Sequence, residues 1–212
     1  MSDATVNRSK RWFVAFLFAY ALACRLMPYV LHTFGVSIDP ATTWYPWNFS
    51  PLLALSMFSG ACVADKRLSF GLPLAVMLVS DFGIWALTGR FDWAFPRSQP
   101  LIYACFAVTV AMGFWLKPRP HVVWAIPTGY LAEALFFLVT NFAVWWFGEG
   151  RTYPMTSAGL ATCYAMAIPF LGRSLLSTTI YTLALFSPAG LRLAGIDPVP
   201  VYNKPVAAKV RR

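Results

Sequence analysis

The sequence predicts an all-α, polytopic membrane protein: a bundle of six transmembrane helices with an outer-face segment between the fifth and sixth spans. Of its 212 residues, 58% are hydrophobic and 12% are charged, and the charged share is about half that of an ordinary soluble domain. The lysine and arginine residues that give the net charge of +9 lie mostly at the ends of apolar runs. They form no basic stripe among aromatic residues, so we expect a lipid bilayer and no nucleic acid as partner.

The first three spans occupy residues 12 to 88. Trp12 to about Phe34 is long enough to cross a hydrocarbon core of about 30 Å. After a loop from Gly35 to Trp47, a shorter second span runs from about Phe49 to Ala64, and its small residues Ser59 to Ala61 predict close helix packing. The third span runs from about Leu68 to Thr88.

The fourth span runs from about Pro100 to Leu116 and the fifth from about Val122 to Phe147. Two apolar stretches follow, separated by residues 171 to 173, and either one of them is interfacial or both cross the membrane. A seventh span would place the basic tail outside, against the positive-inside rule. We therefore predict that Ser157 to Phe170 covers or re-enters the outer face, and that the sixth span begins near Leu171.

With six spans, the basic residues outside the apolar runs divide very unequally between the two sides of the membrane. One side holds only Arg90, Arg97 and Arg151. The other side holds twelve: Arg8, Lys10, Arg11, Lys66, Arg67, Lys117, Arg119, Arg192, Lys204, Lys209, Arg211 and Arg212. The basic side faces the cytoplasm, so we predict that both termini are cytoplasmic in a bacterial cytoplasmic (inner) membrane. Residues 1–190 would form a single transmembrane domain and residues 191–212 a basic cytoplasmic tail.

The first, third and fifth spans each contain an ionisable residue at about the same depth in the membrane. At 1.5 Å per residue, Arg25 and Asp81 lie about 20 Å and Glu133 about 17 Å from the cytoplasmic ends of their helices. Charges at such depth need a partner or a water-filled cavity. We predict that Arg25 lies within direct or water-bridged reach of at least one of the two acids. The candidate ligand-binding residues are Arg25, Asn48, Asp81, Glu133, Asn141 and Arg173.

Other features of the sequence narrow the function. Ala15, Ala19 and Ala23 recur every four residues and form a smooth stripe for a partner helix. The four cysteines lack the spacing of a zinc site or a disulfide framework. The nucleotide-binding and hydrolase motifs are absent from the sequence. We therefore expect no catalytic residue, metal or cofactor, although Asp81 and Glu133 as paired carboxylates of an intramembrane enzyme form an alternative.

A set of short motifs across nearly the whole chain resembles an uncharacterised bacterial family of six-span membrane proteins, which has no established activity. The motifs are Arg25 with Pro28, Asn48 to Pro51, Phe58 to Ala61, Pro73, Ser80-Asp81, Phe136 to Phe142, Tyr153-Pro154, Cys163-Tyr164, Ile168 to Phe170, and Arg173. The loop from His32 to Tyr45 is longer than the loop expected between the first-span motif and Asn48 to Pro51 in that family. The resemblance therefore does not define the shape of the bundle at its outer end.

The size, the six spans and the short second helix are also similar to the substrate-binding S components of energy-coupling-factor vitamin transporters. In those proteins an alanine stripe on the first helix docks against the coupling subunit, and Ala15, Ala19 and Ala23 match that stripe. The resemblance implies a subunit that binds a small molecule from outside and depends on a coupling membrane subunit and ATPases. The alternative is a structural or assembly protein whose intramembrane charges only fix helix packing. The ligand and its charge are not predicted by either interpretation.

Overall fold

The computed structural model describes residues 3–36 and 49–198, with side chains from residue 12 onward. The predicted site residue Asn48, most of the loop from Gly35 to Trp47 and the end of the basic tail lie outside the described residues. The described chain consists of helices joined by turns: α1 Asp3–Thr33, α2 Leu52–Cys62, α3 Lys66–Thr88, α4 Phe91–Ala94, α5 Gln99–Gly113, α6 Val122–Phe147, α7 Ser157–Leu185 and α8 Pro188–Leu193. A 3-10 turn, Phe114–Leu116, extends α5.

The predicted all-α membrane class is confirmed in its main lines. Five helical segments are long and apolar enough to cross a membrane: Trp12–Thr33, Lys66–Thr88, Phe91–Leu116, Val122–Phe147 and Ser157–Leu185. The predicted second span is shorter than expected. It forms only α2, whose 11 residues cover about 16 Å, roughly half of a hydrocarbon core.

Helix α2 lies in the middle of the bundle, where it packs against α3, α5, α6 and α7. Nine of its residues are buried. Pro51 is its N-cap residue: the Pro51 carbonyl accepts the first helical hydrogen bond, from the Leu55 N–H at 2.8 Å, and the missing proline N–H costs nothing at a helix start. The prediction of close packing around Gly60 is confirmed: a Cβ atom on Gly60 would lie 2.0 Å from the carbonyl oxygen of Val110, and one on Gly113 would lie 2.2 Å from that of Met57.

Helix α7 differs from the prediction. We expected Ser157 to Phe170 as a separate outer-face segment, whereas the structure has one continuous helix of 29 residues, Ser157–Leu185. The prediction of a break near Leu171 is wrong. An interrupted backbone inside a membrane would leave several N–H and C=O groups unpaired, whereas Pro169 within the continuous helix removes only one N–H donor. The helix is about 43 Å long, so it extends beyond the hydrocarbon core or is tilted within it.

The ends of the helices alternate between the two ends of the bundle. At one end, Phe13 near the start of the first span packs on a core cluster that includes Ala61, Leu116, Leu185 and Leu191. The first span therefore begins where α7 ends. Leu191 in α8 is buried, so the part of the predicted tail that begins at residue 191 starts within the packed domain.

The opposite end of the bundle is joined by polar contacts between loops. Arg97 forms a salt bridge with Glu149, and the Trp145 indole nitrogen donates a hydrogen bond to the Pro154 carbonyl at 2.9 Å. His32 and Trp93 pack edge to face. These contacts place the end of α1, α4, the end of α6 and the start of α7 at the same end of the bundle.

Candidate functional site

Asp81 on α3 is the centre of a hydrogen-bond network that joins three helices. The carboxylate is fully buried. It accepts a charged hydrogen bond from Arg25 Nη2 on α1 at 2.5 Å, one from the Tyr103 hydroxyl at 2.7 Å, and one from the Gln99 amide. The prediction that Arg25 lies within salt-bridge reach of an acid is confirmed. With three donors around it, the charge of Asp81 is compensated within the protein.

Arg25 keeps donors that the described residues do not use. A guanidinium carries five N–H donors, and the structure gives Arg25 one hydrogen-bond partner, the Asp81 carboxylate. Its Nε atom is buried without a partner. The side chain is 24% exposed, so part of the guanidinium faces open space.

Glu133 on α6 belongs to a second network. Its side chain is almost fully buried, with 3% exposure. The Thr178 hydroxyl donates to Oε1 at 2.5 Å, and the Ser174 hydroxyl donates to Oε2 at 2.7 Å. Both donors are on α7, so Glu133 ties α6 to α7. Arg25 and Asp81 therefore belong to one network and Glu133 to another, and the three residues do not form one directly bonded cluster.

A cavity of about 300 Å³, here called the central cavity, brings the two networks together. Its polar lining comes from Arg25, Ser50, Gln99, Glu133 and Ser174. Aromatic walls come from Tyr29, Trp93, Phe106 and Phe136. The cavity volume is at the lower end of the range for small-molecule sites. Asp81 is not among its lining residues, but its hydrogen-bond partners Arg25 and Gln99 are.

A second cavity of about 240 Å³, here called the lateral cavity, lies between α6 and α7. It shares Glu133, Phe136 and Ser174 with the central cavity, and the predicted site residue Asn141 lines it. Glu133 therefore stands where the two cavities meet. Arg173 is 7% exposed, with its guanidinium 5.8 Å from the ring centre of Phe170, and it is not among the lining residues of either cavity.

The chain segment before α2 contributes Ser50 to the lining of the central cavity. Phe49 and Ser50 are non-helical, and the Ser50 carbonyl accepts a hydrogen bond from the Ser177 hydroxyl at 2.9 Å. The Ser50 hydroxyl in turn accepts one from the Leu52 N–H at 3.3 Å. Irregular backbone within a membrane protein is tolerated where it is satisfied by the protein or borders a cavity.

The sequence interpretation missed the hydroxyl and amide partners of the two acids. Gln99 with Tyr103 and Ser174 with Thr178 are each four residues apart, so each pair shares one helix face. Pairs of polar residues at this spacing inside apolar helices are the signal that identifies them. Gln99 was missed because it precedes Pro100, where the fourth span was expected to start.

The predicted partner stripe on α1 is uncovered. Ala15, Ala19 and Ala23 are all exposed, while α1 packs mainly on α3 through another face. Within the described residues, nothing in the chain covers these three alanines.

The family of unknown function DUF6580 matches residues 6–195 of the chain. No curated protein and no solved structure matches the chain.

Proposed function

We propose that this chain, which belongs to the DUF6580 family of unknown function, is a substrate-binding membrane subunit of a small-molecule uptake system. The observation that carries the proposal is the central cavity, which Arg25 and Glu133 both line. A charged residue in the middle of a membrane helix costs at least about 2.5 kcal/mol, and such residues mark sites and pathways for ligands. An apolar pair that filled the space would hold the helices together without that cost.

The position of the cavity in the bundle supports binding from the outside. Trp93, Ala94 and Pro96 line it, and they belong to the end of the bundle opposite the cluster around Ala61 and Leu116. Because Lys66 and Lys117 are adjacent to that cluster in the chain, the positive-inside rule places the cluster at the cytoplasmic face. The cavity is then in the outer half of a bacterial cytoplasmic membrane, and both termini are in the cytoplasm.

Energy for uptake would come from partner proteins. The sequence holds no nucleotide-binding motif, and the exposed stripe of Ala15, Ala19 and Ala23 is smooth enough for close approach of another helix. We propose that a coupling membrane subunit docks there and that ATPases act through it, as the similarity to S components implies.

A structural or assembly role is the second candidate, and the Asp81 network favours it. Three donors from two neighbouring helices bind this carboxylate, which is the arrangement expected of a network that fixes helix packing. The Asp81 network does not explain the cavity or the unused donors of Arg25, so we rank the uptake function first.

Co-purification from the native membrane tests the proposal. The full chain, tagged and extracted in native lipid, is expected to bring down a membrane subunit with ATPases and to retain a small molecule that mass spectrometry detects. The variant Ala19→Trp, on the exposed stripe, should lose the partners and keep the small molecule. Ala134→Trp, at an exposed position of α6, is the matched control and should keep both. Recovery of neither a partner nor a small molecule with the wild-type chain would reject the uptake function.

A further inference from the structure

Resting on the proposed function, we infer that the central cavity takes a small organic monoanion: a carboxylate with an apolar body, held at Arg25. Three observations carry it: the donors of Arg25, the polar end of α2, and the composition of the remaining walls.

The sign of the ligand charge follows from what the cavity offers. Asp81 occupies a donor at Nη2 of Arg25 and is not among the lining residues of the cavity, whereas the Arg25 side chain is 24% exposed and lines the cavity. Arginine stays protonated in proteins, and its planar fork of donors suits a carboxylate. The positive group at this end of the cavity therefore lacks part of its hydrogen bonding, while the acid behind it has three donors of its own.

The beginning of α2 adds to the positive character of the cavity. Leu52 and Leu53, the first two residues of this 11-residue helix, line the central cavity, as Arg25 does. The first turn of a helix carries a partial positive charge, which favours a nearby anion, while the Leu52 N–H itself is already bonded to the Ser50 hydroxyl. Together with Arg25, this partial charge suits the cavity to a single negative group.

The other walls limit the ligand to one negative charge and a small apolar body. Glu133 lines the cavity from α6, whereas Arg25 lines it from α1, and a second anionic group on the ligand would meet its carboxyl group. Tyr29, Phe106 and Phe136 give the cavity apolar surface. A volume of about 300 Å³ suits a compact molecule. A carboxylate on a single aromatic ring meets all of these conditions.

Three probes of the same shape and different charge test the ligand class. The full chain in lipid nanodiscs is titrated with benzoate, benzamide or benzylammonium at matched ionic strength, and binding is followed by the thermal shift of tryptophan fluorescence. Benzoate is expected to bind at least about 10-fold more tightly than benzamide, as charge-assisted hydrogen bonds imply. Benzylammonium is expected not to bind.

Two variants assign the preference to Arg25. Arg25→Gln should remove the preference for benzoate over benzamide, and Arg25→Lys should keep part of it. Arg151→Gln, at an exposed ion pair, is the control and should leave the preference unchanged. If Arg25→Gln does not fold, the wild-type ranking of the three probes still decides the charge.

The inference is overturned if benzamide or benzylammonium binds as tightly as benzoate, if none of the three binds, or if a folded Arg25→Gln keeps the full preference. Tight binding of benzamide or benzylammonium would leave the cavity as a small-molecule site and remove only the anionic class. The proposed uptake function fails separately, through a purified chain that carries neither a partner nor a retained molecule.

Discussion

Replacement of Arg25 and Asp81, singly and together, tests the network on which the site is built. Arg25→Met leaves the Asp81 carboxylate with Gln99 and Tyr103 as donors, so we expect about 3 kcal/mol of destabilisation, the lower end for breaking a buried ion pair. Asp81→Leu leaves Gln99 and Tyr103 without their acceptor, at about 2 kcal/mol each, whereas Arg25 is partly exposed and can bind water instead, so we expect about 4 kcal/mol.

The double variant separates the ion pair from the rest of the network. An isolated buried pair can be replaced by apolar residues at little cost, but here Gln99 and Tyr103 still lose their acceptor, at about 2 kcal/mol each. We therefore expect about 4 kcal/mol for the double variant and a coupling energy of about 3 kcal/mol between Arg25 and Asp81.

The free energy of unfolding can be measured for all four chains by SDS titration in mixed micelles. The exposed pair Arg90 and Asp92 is the control, and the same cycle there should give no measurable coupling, because solvent screens exposed ion pairs. A coupling energy below about 0.5 kcal/mol between Arg25 and Asp81 would refute the network, since that is the scatter of independent sites.

Two further predictions concern packing and topology. Gly60→Ala should destabilise the chain by about 3 kcal/mol, since the new Cβ meets the Val110 carbonyl oxygen at 2.0 Å. Gly71→Ala, with no atom within 4 Å of the added Cβ, is the control and should be tolerated. Size-exclusion profiles of the two variants in detergent make the comparison, and equal profiles would contradict the close contact at Gly60. In a chain without other cysteines, Thr152→Cys should react with an impermeant thiol reagent from outside and Ser2→Cys should not, and the reverse result would overturn the orientation.

The sequence was sufficient for the membrane class and for the prediction that Arg25 pairs with one of the two acids, although it did not select Asp81. A charge inside an apolar run of spanning length is so costly that it requires a partner, and helix rise alone brings Arg25 and Asp81 to one depth. The same argument predicted a similar depth for Glu133, which lines the same cavity as Arg25. It could not choose between a cation and hydroxyl groups as its partners, because serine and threonine occur widely in membrane helices and leave no mark on hydropathy.

The course of α7 was not predictable from local signals. Leu171-Gly172-Arg173 has the composition of a loop, but inside the bundle a continuous backbone ladder is favoured over that local preference. The cavities were not predictable either, since their volumes depend on how Phe106, Phe136 and the irregular residues before α2 pack. Sequence periodicity specifies which face of a helix is apolar and gives no measure of the space between two faces.

The central claim is that the central cavity is open to small molecules from outside, and the natural cysteines test it directly. Cys24 lines the cavity, whereas Cys105 is not among its lining residues, and both thiols are buried, at 8% and 4% exposure. In chains that keep only one of the two, within lipid nanodiscs, a small water-soluble methanethiosulfonate reagent is expected to modify Cys24 much faster than Cys105. A Cys24 thiol as unreactive as that of Cys105 would contradict the account.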